Sequence, residues 1–385
     1  MSLILTLNAG SSSLKFSVYR AAEEPECLVA GQVERLGPDA QLILTSGETR
    51  ALGATDHPRA LDEILTTLAP HLDGARIAAI GHRIAHGGME FTGPAELTED
   101  VLAKLRILMP FAPLHQPHNL ACVEAAATKF PQALQIGCFD TSFHRGHPWV
   151  NDTFALPRRF FEMGVRRYGF HGLSYDYITS TLRRDHPDLA AGRVVIAHLG
   201  NGASICAVRG GQSVASTMGF SALDGLPMGT RCGQLDPGVL LFLMDQQELT
   251  AAEITRLLYN QSGLLGLSGL SGDMRTLAAS EAPEAAEAID YYVFRVTREI
   301  GAMAASLGGI DALVFCGGIG ENAADIRARI TDPLGFLGVV IDADANARNA
   351  LEIGAGPVPV MAIPTDEERV IARACTKALS GPPHR

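Results

Sequence analysis

Arg83 lies in the run Gly81-His82-Arg83-Ile84-Ala85-His86-Gly87-Gly88, and Arg231 in Met228-Gly229-Thr230-Arg231-Cys232-Gly233. Between them, Arg166-Arg167-Tyr168-Gly169-Phe170-His171-Gly172 joins two cations to an imidazole. A guanidinium carries a fixed charge on a planar fork that matches carboxylate and phosphoryl oxygens. Glycine neighbours let a small anion reach the backbone. Residues of these types suit the handling of a phosphoryl group, where positioned positive charge matters more than covalent catalysis. A carboxylate is also in place. Asp140 follows an apolar stretch ending in Cys138-Phe139, the usual station of a catalytic or metal-binding acid at a strand end of an open α/β sheet. Structural capping fits the same local sequence equally well.

Small-residue turns supply backbone N–H groups for anions. Asn8-Ala9-Gly10-Ser11-Ser12-Ser13, with Lys15 just beyond, is the first of them. His198-Leu199-Gly200-Asn201-Gly202, Gly272-Asp273-Met274-Arg275 and Gly317-Gly318-Ile319-Gly320-Glu321 follow in the second half, where together they would cradle a nucleotide. Neither a P-loop, GxxxxGK followed by Ser or Thr, nor a strand-linked GxGxxG fingerprint is present. His82 and His86 stand four apart and His144 and His147 three apart. Glycines around the first pair disfavour a helix, and the second pair reads as a solvated turn, so neither is expected to bind metal. A Pro-punctuated turn, Pro113-Leu114-His115-Gln116-Pro117-His118, presents His115. The run from Gly263 to Gly272, with glycine at every third residue, reads as a loop.

At 385 residues the chain exceeds the size at which a single core stops growing, so two domains with a cleft between them are expected. Hydrophobic residues make up 47% and charged residues 19%, which supports packed cores and argues against disorder. Lys plus Arg number 31 against 42 Asp plus Glu, a net charge of −11. No long basic block is present to track a nucleic-acid backbone, which argues against such a partner. Seven scattered cysteines without a CxxC pair point to reduced thiols in a cytosolic protein. The N-terminal segment has no basic leader and reads as a buried strand, and no apolar run is long enough to span a bilayer.

Apolar patterning predicts a β-hairpin over residues 3–19 and a second over 193–208, a repeated grammar that suggests a duplicated domain. Helices are expected over 58–70, 98–109, 119–130, 236–246, 251–258, 284–307 and 366–379, and strands over 133–139, 312–316 and 358–363. No low-complexity linker separates the halves, and the boundary falls near 145–155.

Taken in order, NAGSSSLKF, GHRIAHGG, PLHQPH, FDTSFH, RYGFHG, HLGNGAS, MGTRCGQLDP, SGDMR, GGIGEN and PTDEE resemble the acetate kinase family of the actin-like superfamily, over nearly the whole chain. The resemblance implies an α/β fold of two duplicated ribonuclease H-like (actin-like ATPase) domains with an interdomain active-site cleft. Residues 1–147 with 365–385 would form the acyl and magnesium domain, and residues 148–364 the nucleotide-binding domain. The implied activity is reversible transfer of the ATP γ-phosphoryl to acetate, giving acetyl phosphate and ADP. It would be carried out by a cytoplasmic homodimer that uses Mg²⁺, with Mn²⁺ as a substitute, and no nucleic acid or membrane would be involved.

Carried over residue by residue, Asn8 and Glu367 match the magnesium positions, Asp140 the active-site carboxylate and Arg83 the substrate-carboxylate position. His171 and Arg231 match the residues that stabilise the transition state, and His115 belongs to the same catalytic neighbourhood. Lys15, His198, Leu199, Gly200, Asn201, Gly202, Asp273, Met274, Arg275, Gly317, Gly318, Ile319, Gly320 and Glu321 match the nucleotide contacts. Ala85 and Ala222 stand where the family commonly has Val and Pro. Both changes remove apolar volume from an acyl pocket whose other walls would be Leu114 and Phe170, which predicts that propionate is accepted well, since one methylene is worth only about 1–3 kcal/mol of discrimination. Rival readings are a propionate or butyrate kinase on the same machinery and a non-kinase actin-like ATPase. The ATPase would turn over ATP without any carboxylic acid, and a further rival, a non-catalytic or filament-forming actin-like ATP-binding protein, leaves Arg83, His171 and Arg231 without a purpose.

Overall fold

The first expected hairpin forms between β1 (Leu3–Ala9) and β2 (Ser13–Arg20), antiparallel, with Asn8 opposite Lys15. Every residue of β1 is buried, as a central strand covered on both faces requires. The structure, a computed structural model, describes residues 2–10, 12–72, 74–113 and 115–381. The chain divides into two compact units, Met1–Phe143 with Asp366–Arg385, and His144–Thr365.

In the first unit, β3 (Glu26–Glu34), β4 (Gly37–Leu44) and β5 (Thr49–Thr55) extend the antiparallel meander outward from β2. On the other side of β1, β6 (Ile77–Ile84) runs parallel to it, the two-residue β7 (Ala95–Glu96) follows in the chain, and β8 (Leu134–Phe139) runs parallel to β6. The sheet order is β5-β4-β3-β2-β1-β6-β8-β7. Parallel neighbours need crossover connections, and the helices His57–Leu68, Glu99–Ile107 and Gln116–Lys129 lie within them. The helix Glu367–Ser380 packs closely on β6. A Cβ at Gly81 would lie 2.2 Å from Ile371 Cγ2 and 2.7 Å from Cys375 Sγ, so only glycine admits this approach. That helix begins with Glu367, which its docking carries to the end of β6.

The second unit repeats the plan on a smaller scale. It contains β9 (Arg193–Leu199), β10 (Ala203–Arg209), β11 (Gln212–Ser216), β12 (Ala312–Cys316) and β13 (Val360–Ala362), in the order β11-β10-β9-β12-β13. Here β9 pairs antiparallel with β10 and parallel with β12, and β12 runs parallel to β13. The series β3-β2-β1-β6-β8 of the first unit has the same order and the same directions. The helix Pro283–Leu307 starts with Pro and stops at a left-handed Gly308, and its Tyr292, Val296 and Ile300 join Val195, Ile205 and Phe315 in the core.

Some expectations change. The run expected as a loop over 263–272 contains the helix Gly263–Ser268, stopped by Gly269 at φ 65°. Burial of Leu264 in the core and a 2.7 Å bond from Ser268 Oγ to the Leu264 carbonyl hold that turn helical. Two glycine-centred turns also become short helices, Met274–Ala278 and Gly317–Asn322. The strands β3 to β6 and the helix Gly172–Asp185 were not expected. Among the described residues, no helix is long and apolar enough to cross a membrane.

Candidate active site

In the first unit the ends of β1, β6 and β8 deliver Asn8, Arg83 and Asp140 to one place. The guanidinium of Arg83 grips Asp140 through Nη2 to Oδ2 at 2.6 Å and through Nε to both carboxylate oxygens at 3.0 and 3.1 Å. Arg83 Nη1 donates to Asn8 Oδ1 at 3.2 Å, and Glu367 Oε2 lies 3.9 Å from Nε. The Asp140 side chain is only 2% exposed, against 21% for Arg83 and 14% for Glu367. Asp140 is therefore the anchor, and Arg83 is the member that solvent reaches most.

The helix Gln116–Lys129 braces this arrangement. Asn119 donates to the Ala9 carbonyl at 2.7 Å and accepts from the Ala85 N–H at 2.9 Å, which ties the ends of β1 and β6 together. Gln116 makes paired bonds with the backbone of His86, and Thr141 accepts from Gly87 N–H. Burial works against the Arg83 charge, but the carboxylates of Asp140 and Glu367 more than offset it and hold the guanidinium above its ordinary range. Burial pushes the Glu367 carboxyl up to about 7, opposed by Arg83 and reinforced by Asp140 and Glu368, while Lys15 pulls it back. Lys15 thus stands with this cluster, directly across the hairpin from Asn8.

In the second unit His171 occupies the position before the helix Gly172–Asp185 with left-handed backbone, φ 58° and ψ 25°. Its Nδ1 lies 2.8 Å from Ser204 Oγ, and its ring stacks on His198 with centroids 4.4 Å apart. A Cβ at Gly202 would sit 3.1 Å from His171 Nε2 and 3.2 Å from Arg231 Nη2. Both donors therefore face the same glycine turn. Arg231 is steadied by a 2.9 Å bond from Nη1 to the Ala222 carbonyl.

The same turn gathers the other glycine segments. A Cβ at Gly200 would be 3.8 Å from Gly318 N, and one at Gly229 would strike Asn201 Oδ1 at 2.3 Å and meet the Gly272 carbonyl at 3.0 Å. The turn after β9, the start of the Gly317–Asn322 helix and the Gly229 and Gly272 loops therefore lie together, with the Gly318 N–H facing the Gly200 turn. Glu321 accepts from the N–H groups of Gly317 and Thr365 at 2.9 and 3.0 Å, so its Oε1 fastens backbone. Asp273 caps its own helix and pairs with Arg275 at 2.7 Å. Met274 is buried.

His115 precedes the helix Gln116–Lys129 and is half-buried. Ala85 is buried beside Asn119, Phe170 packs into the core of the second unit with Ala222 against it, and Leu114 lies outside the described residues. His82, read above as no metal ligand, pairs with Gln135 at 2.8 Å. Residues missed from sequence are Asn119, Gln116 and Thr141 in the first unit and, in the second, Ser204, Tyr175, whose Oη lies 2.5 Å from Ser204 Oγ, and Ser174, whose Oγ lies 2.8 Å from His198 Nδ1. The available signals were spacing alone: Tyr175 one helical turn after His171, and Ser204 two residues after Gly202.

Two sheets of ribonuclease H-like order, one carrying an arginine–carboxylate cluster and the other a glycine cradle with an imidazole and a guanidinium, define an actin-like phosphotransferase class. The chain belongs to the acetokinase family, which it matches over residues 3–373. It is 52% identical to an acetate kinase of Methylocella silvestris over 96% of each chain. To one of Rhodopseudomonas palustris it is 49% identical, over 98% of this chain and 99% of the relative. Among solved structures, a propionate kinase from Francisella tularensis superposes with TM-score 0.91 at 35% identity, covering 97% of this chain and 99% of the other. The acetate kinase of Porphyromonas gingivalis gives 0.89 at 38% identity, covering 99% and 100%. This membership selects the kinase reading over the non-kinase ATPase.

Proposed function

We propose that the chain transfers the γ-phosphoryl of ATP to acetate, reversibly and by direct in-line displacement, giving acetyl phosphate and ADP. The observation that carries this reading is Arg83, a cation fixed by a buried carboxylate yet still reached by solvent, which suits the capture of a small carboxylate. Asp140 then holds Arg83 in place and does not act as a base, since acetate is already ionised at neutral pH. Two hard oxygen donors, Asn8 Oδ1 and the Glu367 carboxylate, would hold a magnesium ion. Bound there, Mg²⁺ supplies neutralisation of phosphate charge. His171 Nε2 and Arg231 donate to the oxygens of the phosphoryl in transit. Backbone N–H groups of the 198–202 and 317–321 segments hold the nucleotide phosphates.

The test is ADP release from Mg-ATP without acid and with acetate, propionate or butyrate, trapping acyl phosphate with hydroxylamine. Acid-dependent ADP with matching hydroxamate is expected, and acid-independent ADP without hydroxamate would overturn the reading. The buried Ala85 favours a second acid. With Ala at positions 85 and 222, propionate should be used with kcat/KM within about tenfold of acetate, the low end of the roughly 1–3 kcal/mol that one methylene can cost. Selectivity above tenfold for acetate would remove that part.

A homodimer is supported by the helix Pro237–Asp245, which buries none of its residues and exposes Leu241 at 61% and Phe242 at 52%. Gln234 accepts from Arg295 and Arg298, which sets Leu235 beside the helix that exposes Phe294. Light scattering should give a dimer that Phe242→Glu weakens. All seven cysteines are free thiols, in keeping with a cytoplasmic setting.

A further inference from the structure

The imidazole of His171 can serve a phosphoryl oxygen only if Nε2 carries a proton and points to the right place. Its placement rests on two fully buried hydroxyls. Ser204 Oγ lies 2.8 Å from His171 Nδ1, and Tyr175 Oη lies 2.5 Å from that same Ser204 Oγ. Ser204 is fully buried at the start of β10, and Tyr175, also fully buried, sits one turn along the helix that His171 begins. We propose that Ser204 and Tyr175 are positioning residues for phosphoryl transfer, a hydroxyl pair that holds His171 with Nδ1 as acceptor and Nε2–H facing the Gly202 turn, alongside the donor Arg231.

The direction of the chain follows from donor supply. A buried phenol in apolar surroundings stays protonated, and burial pushes the Tyr175 hydroxyl well above its ordinary value. Donating to Ser204 Oγ, it leaves the serine proton for Nδ1. The neutral ring must then carry its own proton on Nε2. A serine also differs from a carboxylate partner: it orients the ring without fixing a positive charge on it, so the imidazole contributes a directed N–H beside the permanent cation of Arg231. The backbone is held as well. His144 bonds the Phe170 carbonyl through Nε2 at 3.0 Å, and the ring edge of His144 meets Tyr175, which supports the left-handed turn that aims His171.

This inference rests on the reading of His171 as a transition-state donor, and the two are separated by using a spectroscopic and a kinetic readout together. The full-length protein and its Tyr175→Phe, Ser204→Ala and His171→Ala variants are compared by ¹⁵N chemical shifts of the His171 ring and by steady-state kinetics with Mg-ATP and acetate. The wild-type ring should show a protonated Nε2 and an unprotonated Nδ1. Ser204→Ala should mix the tautomers and lower kcat on the order of tenfold to a hundredfold, with both KM values within about twofold; loss of a tautomer-fixing carboxylate in a serine protease costs roughly 10⁴. Tyr175→Phe keeps the ring volume and should give a smaller loss of the same kind, so it carries the test if Ser204→Ala folds poorly. Unchanged ring tautomers in Tyr175→Phe, or losses confined to KM or to melting temperature, would overturn the inference. A His171→Ala enzyme with full kcat would instead overturn the catalytic reading, and the ¹⁵N shifts would still decide whether the hydroxyl pair orients the ring.

Discussion

At the end of β6 the first unit keeps an ion cluster, Arg83 with Asp140 and Glu367, whereas beyond β9 the second unit keeps glycines and mostly neutral hydrogen bonders, Gly200, Gly202, His171, His198 and Ser204. The order of the five strands β3-β2-β1-β6-β8 beneath the first matches that of the whole sheet beneath the second. The difference follows from what each set would hold. A small carboxylate and a metal ion offer few contacts, so charge must do the recognising, and partly buried charge has to be paired to persist. A polyphosphate offers many oxygens, which backbone N–H groups can reach wherever no Cβ stands in the way. The first unit is therefore expected to be sensitive to lost charge, and the second to added atoms.

Arg231 is the cation among the second unit's donors, and its removal tests the contrast hardest. Arg231→Ala should lower kcat by roughly 10³ to 10⁵ with little change in melting temperature. A large loss of stability with modest loss of rate would mark it as structural. Gly202→Ala comes next. Its methyl group would press on His171 Nε2 and Arg231 Nη2 together, and displacements of this kind should lower kcat by about 10- to 100-fold. A kcat within a factor of two of wild type would show that the two donors do not converge on this turn.

In the first unit, Asp140→Asn weakens the anchor of Arg83. The KM for acetate should rise about tenfold, equivalent to ~1.4 kcal/mol, while the KM for ATP holds. The smallest effect concerns stability. Burial drops the His82 imidazole to about 4, below its usual 6.5. The unfolded chain then takes up this proton at higher pH than the folded one, so the contribution of His82 is complete above pH 6.5 and is lost as pH falls toward 4. It amounts to on the order of 3 kcal/mol. Denaturant midpoints measured at pH 7.5 and 4.5 should differ less in His82→Gln than in the wild type.

Much of this arrangement was legible in the sequence because it rests on residue type and chain order. Asp140 directly follows an apolar strand, Arg83 sits among glycines, and both hairpins announce themselves by apolar runs around small polar turns. The strands β3 to β5 were not legible, since they are half-exposed and β5, Thr49–Thr55, buries one residue, so its pattern carries little alternation. Helix or turn could not be told apart for the 263–272 run, because burial of Leu264 depends on tertiary packing, whereas the cap of Asp273 on the Arg275 N–H is local and was there to be read. The bracing residues were invisible for a related reason. Asn119 and Ser204 act across sequence separations of 34 and 33 residues, and nothing in their local sequence marks which backbone or ring they will meet.

The division of labour between the units is tested most directly by one kinetic comparison, Arg83→Ala against Gly318→Ala, with the KM of acetate and of ATP measured for each. A Cβ at Gly318 meets no protein atom within 4 Å, so that variant probes only what occupies the space beside the Gly317–Asn322 helix. The account predicts that Arg83→Ala raises the acetate KM at least tenfold with the ATP KM unchanged, and that Gly318→Ala raises the ATP KM alone. Equal shifts of both constants in either variant, or the reverse pattern, would contradict it.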